Sequence, residues 1–283
     1  PYFLDWMPGI EEVVVFKTDT EGRAVKAIAE ADVLFCLDFN AVSRLEILSE
    51  TIQGNTTARR VLIDHHLQPD EGFDIVFSHP ESSSTCFLVY CLVEAMYGTG
   101  AITRRMGELL YVGMMTDTGN FAFSHLTPEL FRAVAVLLEK GISIPEIHNS
   151  VYNAYTEGRA RLFGYAINRK MALIEDGTVA YMSLLESEMR RFQFQQGDSE
   201  GFVNYALTIK KVKMSAMFLA HRKFIRISLR SRGDVDVNLF ARKYFNGGGH
   251  KNAAGGKSFL SMEETIDHYI RSVREFAEEG HLG

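Results

Sequence analysis

The stretch Val61-Leu62-Ile63-Asp64-His65-His66 runs from three aliphatic residues directly into an acid and two imidazoles. A short apolar run that ends in polar side chains is typical of a buried strand whose carboxyl end reaches a functional site. One carboxylate with two imidazoles can bind a metal ion, transfer protons, or do both. Taken alone, the stretch fits a strand followed by an ordinary polar turn equally well, so the rest of the chain has to decide.

The composition is that of a globular protein with room for one large or two medium domains. The chain has 283 residues, of which 46% are hydrophobic and 23% charged, and its net charge is -6. The negative balance argues against tight binding of duplex DNA through a basic face. A phosphorylated substrate then requires local positive charge or metal ions.

Cysteine usage and hydropathy predict a cytoplasmic protein. Cys36, Cys86 and Cys91 all lie in apolar runs, which favours reduced core residues over disulfides or a thiolate metal site. No signal peptide is visible, and no apolar run approaches the ~20 residues of a membrane span. Association with a membrane is therefore not expected.

The first half of the chain alternates short apolar runs with amphipathic segments. The apolar runs predict four strands, at residues 13–16, 32–37, 61–63 and 75–77, and the runs at 32–37 and 61–63 are expected to be buried. The amphipathic segments predict helices at residues 20–31, to residue 52, 85–97, from residue 102, 127–140 and 144–155. This alternation predicts an α/β fold with a mostly parallel sheet flanked by helices.

The second half has a different pattern, which predicts a smaller α/β domain with a mixed sheet. Strand pairs are expected at residues 171–174 with 179–184 and 213–219 with 224–229, and helices at 237–245 and 262–279. A charged helical segment, residues 156–170, is expected to link the two parts. The predicted domains are therefore residues 1–155 and 171–283.

Three polar clusters end apolar elements of the first half: Asp38, the Asp64-His65-His66 triplet, and Asp117. Carboxyl ends of parallel strands meet at one sheet edge, so Asp38 and His65 are expected to come together. Asp117 lies in a Thr-Asp-Thr-Gly turn, where an isolated Asp is usually a turn former. The three clusters together favour a divalent cation, Mn²⁺ or Mg²⁺, over structural Zn²⁺.

A glycine cluster, Gly247-Gly248-Gly249-His250, follows the helix that ends near Phe245. Glycines there fit a simple helix end and loop. Three in a row before a histidine also allow close backbone approach to a ligand and can present N–H groups to a phosphate. The continuation Ala253-Ala254-Gly255 favours the ligand surface.

Three motifs of this chain, taken in order, resemble those of the DHH phosphoesterase superfamily with its DHH-associated C-terminal domain. They are Asp64-His65-His66, Thr116-Asp117-Thr118-Gly119 and Gly247-Gly248-Gly249-His250. The resemblance covers nearly the whole chain and is closest to the NrnA-type oligoribonuclease branch, which also dephosphorylates 3′-phosphoadenosine 5′-phosphate. It implies that residues 1–155 are a metal-binding catalytic domain and residues 171–283 a substrate-binding domain, with the substrate in a cleft between them.

The resemblance also implies roles for individual residues. Two Mn²⁺ ions are expected, with Asp38 as a bridging carboxylate and His65 and Asp117 as further ligands. Asp64 would orient an imidazole, and His66 would face the substrate as a phosphate contact or proton donor. The residues implied to grip the terminal phosphate or nucleotide are Arg230, Ser231, Gly247, Gly248, Gly249 and His250.

The implied reaction is hydrolysis of short oligoribonucleotides to nucleoside 5′-monophosphates, and of 3′-phosphoadenosine 5′-phosphate to AMP. A linear or cyclic dinucleotide phosphodiesterase is the alternative among enzymes. A catalytically impaired nucleotide-binding module is the alternative among binding proteins. Short RNA or a nucleotide is the expected partner, no obligate protein partner is evident, and a homodimer is left open.

The chain departs from the family pattern at one place. The family's first motif, an N-terminal strand ending in His-x-x-x-Asp-x-Asp, supplies further metal ligands, and nothing before Asp38 matches it. Two octahedral ions need more ligands than Asp38, His65 and Asp117 provide. If the protein begins at Pro1, weak metal binding and little activity are expected.

Overall fold

The computed structural model describes residues 1–45, 47–122 and 125–282. The chain forms two compact units, an N-terminal unit (Leu4–Asn153) and a C-terminal unit (Ala154–Gly283 together with Pro1–Phe3). Across those described ranges, none of the helices has the length and apolar character needed to cross a bilayer.

The N-terminal unit is built on a parallel sheet, as predicted, with three strands in the order β1-β2-β3. They are β1 (Val33–Leu37), β2 (Arg59–Asp64) and β3 (Ile75–Ser78). Leu37 pairs with Ile63, so the residues that follow β1 and β2 leave the sheet at the same edge. Asp38 and His65 thus come together, with Asp38 Oδ1 3.6 Å from His65 Nε2, which confirms the expectation that the strand ends meet at one edge.

Among the described residues, six α-helices accompany this sheet. They are α1 (Arg23–Glu30), α2 (Leu48–Gly54), α3 (Thr85–Tyr97), α4 (Arg104–Asp117), α5 (Pro128–Glu139) and α6 (Ile144–Tyr152). Side-chain oxygens of Ser84, Thr103, Thr127 and Ser143 each accept a backbone N–H in the first turn of α3 to α6. These caps satisfy donors that a helix start leaves open, which is why the predicted starts are close to the observed ones.

Three predictions for the first 40 residues are wrong. No strand forms at residues 13–16 in the described chain, because the β-branched run finds no partner strand and Val13 and Val15 stay 58% exposed. Helix α1 begins at Arg23 rather than Thr20, since the Asp19 carboxylate accepts the N–H of Ala24. Strand β1 was expected to be buried, but it is an edge strand whose Phe35 side chain is 64% exposed.

The C-terminal unit is built on a six-stranded mixed sheet in the order β4-β5-β6-β7-β9-β8. Its strands are β4 (Met171–Ile174), β5 (Val179–Leu184), β6 (Met214–His221), β7 (Phe224–Ser231), β8 (Gly248–His250) and β9 (Ala253–Ser258). Only β5 and β6 pair in parallel among these strands; the other neighbours are antiparallel. The mixed sheet is confirmed, whereas β8, inside the glycine cluster, and β9, which follows it, were not predicted.

Helices cover this sheet on two sides. They are α7 (Glu157–Tyr165), α8 (Glu186–Arg191), α9 (Phe202–Tyr205), α10 (Val237–Phe245) and α11 (Met262–Glu278), with a π-helical turn at Ala166–Lys170. One core joins Ile227 and Leu229 of β7 to residues of α10 and α11. A second core joins Met217 and Leu219 of β6 to α7 and α9.

Candidate metal and phosphate sites

His65 presents a ring nitrogen to the carboxyl edge of the parallel sheet. Its side chain is 10% exposed, and Nδ1 lies 3.1 Å from the backbone oxygen of Ser82. A carbonyl oxygen can only accept, so Nδ1 carries the proton in this assignment of the hydrogen bonds. In the neutral imidazole the lone pair is then on Nε2, which is the arrangement of a metal-ligating histidine.

Two carboxylates converge on that Nε2 atom. Asp38 Oδ1 lies 3.6 Å from it and Asp117 Oδ2 3.7 Å from it. One ligand atom from each of the three residues lies within 4.8 Å of the others. Atoms that share one hard divalent cation at about 2.1 Å are separated by such distances, so the set fits Mn²⁺ or Mg²⁺.

The backbone and a helix start hold Asp38 in place. Its φ is 65°, a left-handed conformation that few residues other than glycine adopt, and its N–H donates to Ile63 O at 3.2 Å. Thr85 Oγ1, at the first turn of α3, donates to Asp38 Oδ1 at 2.8 Å. Sequence reasoning missed Thr85 as a partner of Asp38; the only signal was the hydroxyl-rich run before α3.

Asp117 is the last residue of α4, and its carboxylate lies near that of Asp38. Partial burial and the carboxylate of Asp38 raise the pKa of Asp117 to about 6, although His65 and His66 oppose the shift. Two carboxylates that close favour a positive charge between them. A cation between Asp38 and Asp117 would remove this repulsion.

Asp64 and His66 form a second hydrogen-bonded pair beside this cluster. Asp64 is fully buried, and it accepts the backbone N–H of His66 at 3.0 Å and its ring Nδ1–H at 2.7 Å. Burial pushes the pKa of Asp64 upward, but these hydrogen bonds outweigh it and leave the pKa below its usual value. An ionised Asp64 thus sets the tautomer of His66 and orients Nε2 away from itself.

Close packing of α3 on α4 brings the pieces of the cluster together. A Cβ on Gly113 would lie 2.1 Å from Cys86 Sγ, so only glycine permits this approach. Burial, with Asp117 and Asp38 nearby, raises the pKa of the Cys86 thiol to about 12. All three cysteines are free; Cys36 is buried, as predicted for a core residue, whereas Cys86 and Cys91 are only partly buried.

In the C-terminal unit the glycine cluster is an edge strand rather than an open nest. Gly247 N–H donates to Ala241 O at 3.0 Å, and Gly249 N–H to Asn238 Oδ1 at 2.9 Å. These two N–H groups therefore already have partners within the C-terminal unit. The glycines are needed for close approach instead, because a Cβ on Gly247 would lie 1.9 Å from Gly255 O.

Arg230 and Ser231 end β7, next to that edge. Arg230 Nη1 donates to Leu229 O, and no carboxylate of the described residues lies within 4.0 Å of its guanidinium. Burial lowers the pKa of Arg230. Ser231 is buried and donates to Val235 O at 2.6 Å while it accepts from Asn252, so it braces the turn after β7. His250 lies on β8, opposite Ala253.

Comparison with known proteins identifies the family. The model of the DHH family N-terminal domain matches residues 3–114, and that of the DHHA1 domain matches residues 176–279. A crystal structure of an exopolyphosphatase-related protein from Bacteroides fragilis is 40% identical, with a TM-score of 0.90, and the match covers 98% of this chain and 80% of that one. The chain belongs to the DHH family.

Curated relatives of this DHH-family chain are more distant. The "Bifunctional oligoribonuclease and PAP phosphatase NrnA" of Bacillus subtilis is 28% identical over 208 residues, which cover 73% of this chain. The chain spans 64% of that relative's length. The protein of the same name from Thermus thermophilus is 26% identical over 97% of this chain and 78% of its own length.

Thr85 offers a test of how this DHH chain positions Asp38. In the Thr85→Val variant the Oγ1–H donor is replaced by a methyl of similar shape, and we expect Mn²⁺ affinity to fall about tenfold because Asp38 loses its orientation. Thr85→Ser keeps the hydroxyl and is expected to stay within about twofold of the parent. Isothermal titration with MnCl₂ measures both; equal affinities for the two variants would rule out the role of the hydroxyl.

Proposed function

We propose that this chain is a metal-dependent phosphoesterase that hydrolyses short oligoribonucleotides to nucleoside 5′-monophosphates and 3′-phosphoadenosine 5′-phosphate to AMP. The observation that carries the proposal is the convergence of two carboxylates on the lone pair of His65 Nε2. Without a cation, the lone pair of His65 Nε2 would face two electron-rich oxygens. These are Asp38 Oδ1 at 3.6 Å and Asp117 Oδ2 at 3.7 Å. The names of the two curated relatives supply the substrate classes.

In this proposal Asp38, His65 and Asp117 hold the cation. A bound Mn²⁺ or Mg²⁺ would supply Lewis-acid stabilisation of the phosphoryl oxygens and lower the pKa of water. We propose Mn²⁺ as the native ion, because the donor set mixes carboxylates with an imidazole.

His66 is proposed to protonate the leaving oxygen. His66 Nδ1–H donates to the buried carboxylate of Asp64 at 2.7 Å, which leaves Nε2 as the ring atom from which a proton would be given to the leaving oxygen. As that proton leaves, the ring returns to the neutral tautomer that Asp64 already selects. Asp64 is the positioning residue of this pair.

The C-terminal unit is proposed to bind the substrate away from the reacting phosphorus. Arg230 can pair with two oxygens of one phosphate through its planar fork, and it has no competing carboxylate within 4.0 Å among the described residues. We place His250 and the glycines at positions 247, 248 and 249 beside it, as the surface that takes the terminal nucleotide. Ser231 acts by holding the turn.

We also propose that the protein works in the cytoplasm, where short RNA fragments arise and thiols stay reduced. A site that takes only a few nucleotides would prefer short substrates. Long RNA would then be a poor substrate even where its sequence is identical.

The test is an assay of the purified chain with MnCl₂ on a 5′-phosphorylated RNA dinucleotide, a 24-nucleotide RNA, 3′-phosphoadenosine 5′-phosphate and cyclic di-AMP. We expect nucleoside 5′-monophosphates from the dinucleotide and AMP from the bisphosphate, both lost with EDTA. Turnover of the 24-nucleotide RNA as fast as the dinucleotide would overturn the length preference. Nucleotide binding without hydrolysis of any of the four would replace the enzyme with a binding module.

A further inference from the structure

The two faces of strand β7 have different surroundings. Ile225, Ile227 and Leu229 point into the core beneath α10 and α11. The alternate side chains, of Phe224, Arg226, Ser228 and Arg230, point to the opposite face, because successive residues of a strand alternate. The second face of β7 therefore carries two arginines separated by one serine, with an aromatic residue at the far end.

The neighbouring strand β9 leaves the middle of this face flat. Gly255 pairs with Ser228, and a Cβ built on Gly255 would meet only the backbone oxygen of Ile227 within 4 Å. The hydroxyl of Ser228 has no hydrogen-bond partner among the described residues. A ligand lying across Ser228 and Gly255 would thus meet backbone and one available hydroxyl instead of bulky side chains.

Two cations lie directly opposite each other at one end of this flat strip. Arg226 on β7 pairs with Lys257 on β9. Like charges in a cross-strand pair destabilise a sheet, so a fold optimised only for stability would avoid this pair. In the described part of the chain, the carboxylate near Arg226 Nη2 is Glu200 Oε1 at 4.0 Å, and both side chains are about half exposed. Such a long, exposed ion pair is weak and can exchange for a phosphate.

Lys257 is also placed over an aromatic ring. Its Nζ lies 5.2 Å from the centroid of Phe224, whose ring is stacked against His221 at 5.1 Å. Aromatic rings next to cations are the usual means by which proteins bind single-stranded nucleic acid, through base stacking and phosphate pairing. The pair and the ring together form a surface suited to one nucleotide.

The spacing connects this surface to Arg230. Arg226 and Arg230 are four residues apart on the same face of β7, which corresponds to about 13 Å at the rise of an antiparallel strand. That separation exceeds the length of a single nucleotide. A mononucleotide bound at Arg230 would not reach Arg226, whereas a chain of several nucleotides would.

We propose that Arg226, Lys257 and Phe224 form a second subsite, which binds the phosphate and base of a nucleotide further along a short RNA. The proposal rests on the proposed function, because it takes Arg230 as the position of the first nucleotide. It adds that the chain selects oligonucleotides over 3′-phosphoadenosine 5′-phosphate by length. A solvated end of a sheet with no ligand would show no such selection.

The first experiment compares two double variants that remove the same charge. Arg226→Gln with Lys257→Gln alters the subsite; Lys210→Gln with Lys211→Gln alters two exposed lysines before β6. Binding of fluorescein-labelled pA₅ and of unlabelled pApA as its competitor is measured by fluorescence anisotropy in EDTA, which prevents metal-dependent cleavage. We expect the ratio of pA₅ to pApA affinity to fall about tenfold in the subsite variant only.

The salt dependence of pA₅ binding is a second measurement of the subsite. Each phosphate contact with single-stranded RNA contributes about -0.7 to the slope of log affinity against log salt, so we expect the subsite variant to lose about that amount for pA₅. A third variant, Glu200→Gln, removes the carboxylate near Arg226 and is expected to tighten pA₅ binding about two- to threefold. A gain in affinity cannot arise from misfolding.

The proposed subsite would be refuted if both double variants lowered the ratio of pA₅ to pApA affinity equally, or if the subsite variant left that ratio unchanged. Failure of the proposed function looks different: the parent chain would bind pA₅ more tightly than pApA but would cleave neither with Mn²⁺. If the subsite variant cleaves pA₅ with the parental kcat/KM, the proposed phosphoesterase function stands and only the proposed subsite is refuted.

Discussion

The His65→Ala variant is expected to lose measurable Mn²⁺ binding and at least about 10³-fold in kcat/KM on an RNA dinucleotide. His65 supplies the one lone pair on which Asp38 and Asp117 converge, and Ser82 O fixes the tautomer that directs it there. Removing the imidazole leaves two carboxylates that repel each other. Electron paramagnetic resonance of a Mn²⁺ titration measures binding, and initial rates at high MnCl₂ measure the chemistry.

His79→Ala is the matched control for that variant. His79 follows β3 of the same unit, and its ring pairs with Glu81 at the surface, with 44% of the side chain exposed. We expect binding and rates within about twofold of the parent, since an exposed pair of this kind contributes little. Undiminished Mn²⁺ affinity in His65→Ala would mean that the cation lies elsewhere, and the proposed centre would have to be abandoned.

The Gly247→Ala variant is expected to lose about 3 kcal/mol of unfolding free energy and the pairing of β8 with β9. A Cβ there would lie 1.9 Å from Gly255 O and 2.9 Å from Gly256 Cα, which are backbone atoms that cannot rotate away. Urea unfolding measures the free energy of the variant. Hydrogen exchange at residues 248–258 shows whether the local strand pairing has opened.

Gly248→Ala is the control one residue away. Its Cβ would have Asn238 Oδ1 at 3.6 Å as the nearest atom, an ordinary contact, so we expect a change within about 0.5 kcal/mol. The two variants add the same methyl group to the same glycine run. Equal stability losses would show that the run serves backbone flexibility, and that close approach to Gly255 is not the reason for glycine at position 247.

Local sequence pattern predicted the elements well where a cap or a long apolar period marks them. Helix α3 begins next to Ser84, as the run of hydroxyls indicated, and α10 spans residues 237–245 as predicted. The strand predictions failed where the outcome depends on a neighbouring strand. Val13 and Val15 have strand propensity but no strand to pair with, and β1 has apolar residues on both faces but lies at an edge.

The amino-acid sequence by itself determined the family motifs and the parallel strands whose carboxyl ends share one edge, and hence the meeting of Asp38 with His65. These follow from residue type and from periods of two and 3.6 residues, which are local properties. Only the tertiary structure decided that Thr85 holds Asp38, and that Arg226 lies against Lys257, because the partners are 47 and 31 positions apart in the chain. No local pattern encodes which of many polar side chains will meet across such distances; packing of helices and strand register select them.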